Sequence, residues 1–153
     1  MTEKLQTLRD SAFARWSALL LIAMMMFFAY MFVDFLSPLK NALETSLNWD
    51  STTFGTYAAS EYFLNVFCLF LIFAGIILDK MGIRFTGILS GSVMVIGAAI
   101  KLYAVSDWFT ADSSLYSFLN SFWTSFPPTA KLASVGFMIF GCGVEMAGVT
   151  VSK

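Results

Sequence analysis

Four apolar runs, each approaching or exceeding the roughly 20 residues that a helix needs to cross a bilayer, constrain this chain more than any other feature. The first runs from Trp16 to about Leu39 and is interrupted only by Asp34. The second runs from about Thr53 to Leu78, interrupted by Glu61. The third spans Phe85 to Ile100, with Lys101 and Tyr103 at its end, and the fourth spans Leu132 to Ser152 around Glu145. The rest of the composition agrees with a chain made for lipid. Only 12% of residues are charged, half the roughly 25% of a soluble domain, so there is too little polar surface to cover a water-soluble fold. An all-α integral membrane protein with four transmembrane helices is expected, with membrane lipid as its first partner. The first run is too long for a cleaved secretory signal, and further runs follow it.

Lysine and arginine set the expected orientation. Lys4, Arg9, Arg15, Lys80, Arg84 and Lys153 fall on one side of the four runs, and Lys40, Lys101 and Lys131 on the other. The richer side is expected to be cytoplasmic, which puts both termini inside. In this reading residues 1–14 form a cytoplasmic arm, residues 15–105 hold helices one to three, and residues 131–153 form helix four. Residues 106–130 form an extracytoplasmic loop. Within it Leu115, Phe118, Leu119, Phe122 and Phe126 recur at helical spacing, while Asp107, Asp112 and Pro127-Pro128 rule out a fifth span. This segment is expected to be an amphipathic helix, either lying on the outer membrane surface or packed as a cap over the helix ends. Trp16 and Trp49 fall near expected interfaces, where indole rings are favoured.

The net charge of −1 argues against nucleic acid, which demands a basic footprint. No histidine is present, and Cys68 and Cys142 lie far apart inside apolar runs. The chain therefore offers neither an imidazole triad nor a thiol metal site. No enzyme activity and no cofactor are expected. The informative residues are three acids at membrane depth, since a carboxylate at mid-bilayer costs about 2.5 kcal/mol or more unless it faces a cavity or a partner. Asp34 is near the outer end of the first run, where it reads as cavity lining or as an interfacial cap beside Ser37 and Pro38. Glu61 lies in the outer half of the second run, with Asn65 one turn below and Cys68 following on the same face. Glu145 lies well inside the fourth, one turn from Gly141. Asp34, Glu61, Asn65 and Glu145 are the candidate substrate or proton cavity. Small residues crowd the third and fourth runs: Gly87 and Gly91 with Ser90 and Gly97, then Gly141, Gly143, Ala147 and Gly148. Close helix packing is expected there. The Met24-Met25-Met26-Phe27-Phe28 run reads as lipid-facing or core-filling.

Between the second and third runs the chain reads Gly75-Ile76-Ile77-Leu78-Asp79-Lys80-Met81-Gly82-Ile83-Arg84. Gly75 would let a neighbouring helix approach, Asp79 can accept from a helix N-terminus or pair with a cation, and Gly82 permits a sharp turn. Lys80 and Arg84 would anchor the stretch inside. It resembles the signature loop of the major facilitator superfamily, Gly-x-x-x-Asp-Arg/Lys-x-Gly-Arg/Lys-Arg/Lys, in the place where that family carries it. The resemblance departs at Ile83, where the family has a basic residue. The fourth run, Gly136 to Gly143, also lacks the arginine that many members pair with the loop acid, which speaks against drug/proton antiport. A narrower similarity, carried by Asn65 to Arg84, Asp34 and Phe140 to Glu145, points to the branch that contains the lysosomal dipeptide uniporter.

What the resemblance implies is a secondary-active or facilitative transporter working by alternating access on a small organic solute, a peptide among the options. Gly75, Asp79, Lys80, Gly82 and Arg84 would form the loop that locks one conformation. Such transporters have about twelve helices with the substrate site between two halves, so this chain is expected to be an N-terminal fragment whose partners are the remaining helices. Short loops and the methionine-rich first run point to a bacterial inner membrane. Two rival readings stand beside this one. One is a complete small four-helix protein that dimerises into an exporter; the other is a membrane assembly subunit. Neither accounts for the Gly75–Arg84 stretch.

Overall fold

The computed structural model describes residues 11–112, 114–122 and 124–152. The expectations placed on Lys4, Arg9 and Lys153 lie outside the described residues. Among the described residues seven helices make up the fold: α1 (Ala12–Asp34), α2 (Leu36–Leu47), α3 (Ser51–Phe67), α4 (Phe70–Ala104), α5 (Asp107–Asp112), α6 (Ser114–Ser121) and α7 (Pro128–Val151). No strand occurs among the described residues. Among the described residues three helical stretches are long and apolar enough to cross a membrane: Ala12–Leu47, which joins α1 and α2, then α4 and α7. The chain is thus an all-α protein of membrane-spanning character.

Local chemistry explains most of the boundaries. Ser11 accepts a hydrogen bond from the Ala14 N–H and starts α1. Asn48, in the left-handed region at φ 52°, ends α2. Asp50 caps α3 by accepting from the Thr53 N–H at 2.7 Å, and this hydrogen bonding holds its carboxyl below the ordinary 3.8. Pro128 opens α7 at a position where a missing N–H costs nothing.

Two boundaries change the expected layout. The second apolar run does not continue from Thr53 to Leu78 as one helix. It breaks at Cys68 and Leu69, with Leu69 held at φ 50°, a conformation that costs a non-glycine residue about 1–2 kcal/mol. Nor is Gly75–Arg84 an open loop. It lies within α4, helical on either side of one break at Gly82, where φ is 81° and ψ 169°. Glycine alone takes that backbone without strain, so the expected sharp turn is concentrated in a single residue.

α7 is the centre of the structure. Of its apolar window 61% is buried, against 6% for Ala12–Leu47. α4 packs on it antiparallel: Gly97 meets Gly136 and Phe140, while Ser90 and Met94 meet Gly143. α3 packs parallel to it, with Trp49 against Thr129, Tyr57 against Phe137 and Glu61 against Gly141. The close approaches depend on glycine. A Cβ on Gly97 would lie 2.5 Å from the Phe140 nitrogen, and one on Gly141 would lie 2.5 Å from the Glu61 carbonyl oxygen. The expected packing role therefore holds for Gly97, Gly141 and Gly143. It fails for Gly87 and Gly91, and the approach expected at Gly75 is missing too, since a Cβ at any of these three meets nothing within 4 Å.

The aromatic core corrects one further expectation. Trp49 is not an interfacial anchor. It is buried, donates its Nε1–H to the Thr129 hydroxyl at 3.0 Å, and stacks edge-on to Tyr57. Trp16 does face outward. The methionine run divides by face: Met25 and Met26 pack on the core, while Met24, Phe27 and Phe28 are exposed. In the connecting segment the expected amphipathic helix is found as α6, which ends at Ser121 and so stops short of Phe122 and Phe126. Phe109 is fully buried and touches the Tyr103 and Tyr116 rings. Lys131 donates to the carbonyls of Leu119 and Phe122, closing the end of α6 on the start of α7. Leu115, Phe118 and Phe122 are left exposed, an uncovered apolar face of the kind a membrane surface receives.

Candidate functional site

The inner face of α4 is a stripe at helical spacing: Thr86, Ser90, Met94, Gly97, Lys101 and Ala104 are all buried. Five of these are small or flexible, as contact with α7 requires. The sixth is a lysine, only 8% exposed. Its ammonium sits 3.8 Å from the centroid of the Phe137 ring, 4.6 Å from Phe32, 5.4 Å from Phe140 and 5.7 Å from Tyr57. Those rings contact one another, Phe32 with Phe140, Tyr57 with Phe137, and Phe137 with Phe140. They form a cage drawn from α1, α3 and α7. Ring faces attract a desolvated cation with up to about 2 kcal/mol or more per favourable contact, which offsets part of the cost of holding the ammonium out of water. Among the described residues no hydrogen bond or ion pair closes on the Lys101 Nζ.

Glu61 is the second buried charge, 4% exposed. Its place on α3 is set by Gly141 of α7, whose missing side chain lets the Glu61 backbone and Cγ come close. Lys101, Glu145 and Asp34 are all within electrostatic reach of it, with Lys101 the strongest charged neighbour. The structure thus brings three of the expected cavity acids toward one place and adds a cation. Asn65 belongs to the same region. It donates to the Glu61 carbonyl at 3.5 Å, and its buried Oδ1 has no hydrogen-bond partner. Glu145 is half-buried on α7, and Asp34 is exposed at the end of α1. Cys68 drops out of the stripe: it caps the broken end of α3 and is exposed, while Cys142 is buried, and both are free thiols.

A cleft of about 620 Å³ opens beside this cluster, between α1 and α2 on one side and Tyr57 and the C-terminal end of α4 on the other. Phe28, Phe32, Leu36, Leu43 and Leu102 are among its apolar walls, and Lys101 is its charged residue. Lys101 is what sequence reasoning missed. A lysine at the end of an apolar run reads as a side chain that snorkels to the interface. The available signal was its register, one helical turn beyond Gly97 and on the face of Ser90 and Met94.

The residues of the expected conformational loop lie elsewhere. Asp79, Lys80, Gly82 and Arg84 are exposed and Gly75 is half-buried, all around the break in α4 and none of them lining this cleft. Chemically, the buried Glu61 and Lys101 suit charge recognition in a low-dielectric setting, where opposite charges interact strongly. Comparison with family models, with curated proteins and with solved structures finds no match.

Proposed function

We propose that this chain is the N-terminal part of a secondary-active or facilitative solute transporter of the major facilitator type, working by alternating access. The carrying observation is the Glu61–Lys101 neighbourhood: a buried acid on α3 and a buried lysine on α4, the lysine lining a cleft. Ionisable groups in such positions are costly and mark solute or ion pathways. In this reading α3 and the Phe70–Met81 part of α4 make one broken crossing, Gly82 is its cytoplasmic turn, and the chain has four spans. The parallel packing of α3 on α7 and the antiparallel packing of α4 support that alternation. Both termini are then cytoplasmic in a bacterial inner membrane. Gly75, Asp79, Lys80, Gly82 and Arg84 serve as the conformational segment, and helices beyond this chain complete the path.

The test is uptake of small peptides and organic solutes by the full-length gene product in proteoliposomes, with and without a pH gradient. Glu61→Gln is expected to lower uptake at least about tenfold, the scale of one lost charge-assisted hydrogen bond, and Glu145→Gln to lower it less. Wild-type uptake by both variants under every gradient would sink the cavity-acid role.

A further inference from the structure

Lys101 is more than a structural cation. Its ammonium carries three N–H donors, and among the described residues the surroundings give them ring faces and no acceptor. Glu61, the nearest opposite charge, lies within electrostatic reach but forms no ion pair with it. The same lysine is the charged residue lining the 620 Å³ cleft, whose walls are otherwise almost wholly apolar. That volume lies within the roughly 300–1,000 Å³ range of small-molecule sites. A site of this make-up selects by difference. A neutral apolar molecule gains nothing from the cation, and a cationic one is repelled by it. An anion with an apolar body fills the walls and supplies the missing acceptor, so the desolvated ammonium is paired rather than merely shielded.

We propose that the cleft between α1, α2 and the C-terminal end of α4 binds a small monocarboxylate with an apolar body, its carboxylate on Lys101. Phe32, Phe137 and Phe140 hold the ammonium at the cleft wall, so the ligand meets a fixed charge and loses little to side-chain ordering. Tyr57 lines both the cage and the cleft. The inference rests on the same cavity as the transport reading and names its ligand class, yet binding needs no translocation.

The experiment is equilibrium binding to the purified protein in detergent, with decanoate as probe and decanol and decyltrimethylammonium as neutral and cationic counterparts. Decanoate is expected to bind at least about tenfold more tightly than either. Lys101→Met, which keeps an unbranched chain within the ring cage, is expected to abolish that preference, and Lys101→Arg to keep it. Equal binding of decanoate and decanol to the wild type overturns the site and needs no variant to fold. Retention of the preference in a folded Lys101→Met protein overturns it as well. Decanoate binding without uptake of any solute would spare this site and sink the transport reading. Uptake of neutral solutes with no preference for the acid would do the reverse.

Discussion

α1 and α7 are both apolar enough to cross a membrane, and they end up in opposite roles. The Ala12–Leu47 stretch is the more hydropathic, 2.3 against 1.7, yet 6% of its window is buried against 61% for α7. Hydropathy does not decide which helix is central, because lipid tails are as apolar as leucine and offer no drive to bury it. Side-chain size decides. α1 carries large residues on every side, and Leu19, Leu20, Leu21, Phe27 and Phe28 face outward. α7 carries Gly136, Gly141, Gly143 and Ala147 on the surfaces that α3 and α4 touch. Backbones approach there until the dispersion contacts of three helices add up. The helix that can be approached most closely, not the greasiest one, becomes the hub.

The strongest attack on that contrast is at the closest approach. Gly97→Val would put side-chain atoms onto the Phe140 backbone, where nothing flexible can give way. Overpacking of this kind costs about 3 kcal/mol or more when backbone must move, and thermal unfolding in detergent should show a severe loss of folded protein. Gly87→Val, ten residues earlier on the same helix, meets open space and should unfold near wild type. If the two variants behave alike, small-residue packing is not what holds α4 on α7. A milder attack empties the hub. Phe137→Ala removes a fully buried ring between Tyr57 and Phe140 and leaves a cavity that lipid cannot fill, with an expected loss of about 3 kcal/mol, the low end for a buried phenylalanine. Phe27→Ala on the exposed face of α1 should cost almost nothing in the same assay.

The same contrast explains how much of the molecule was legible beforehand. The apolar runs and the small-residue stripe of α7 are patterns of period and size; the stripe survives in the structure, whereas the four runs become three membrane-long helical stretches among the described residues. Gly82 was legible as a turn because only glycine takes its backbone freely. The break at Cys68–Leu69 was not, because Phe67 to Phe70 is uniformly apolar and contains neither glycine nor proline. Gly87 and Gly91 show the limit of motif reading, since their spacing is right and their face is wrong. In the candidate site the acids were found by cost: a carboxylate in an apolar run needs a reason. Lys101 escaped because a lysine near a run's end has a ready excuse, and only its register with Gly97 and Ser90 gives it away.

The subtlest test compares the two tryptophans near the starts of these helices. Trp16 is exposed on α1, whereas Trp49, just before α3, donates to Thr129 in the first turn of α7. That bond ties two helices through one indole N–H, over a contact 80 residues apart in sequence. Trp49→Phe keeps most of the ring volume and its edge-on contact with Tyr57, so the change isolates the donor. A net hydrogen bond is worth about 0.5–1.5 kcal/mol, and the Thr129 hydroxyl would be left without the partner that buries it. Thermal unfolding should register a loss of about 1 kcal/mol for Trp49→Phe and none for Trp16→Phe. Thr129→Val should cost a similar amount, and combining it with Trp49→Phe should add little, because the second change removes a partner already lost. Full additivity would mean that the bond contributes nothing, and that the hub is held at this end by shape alone.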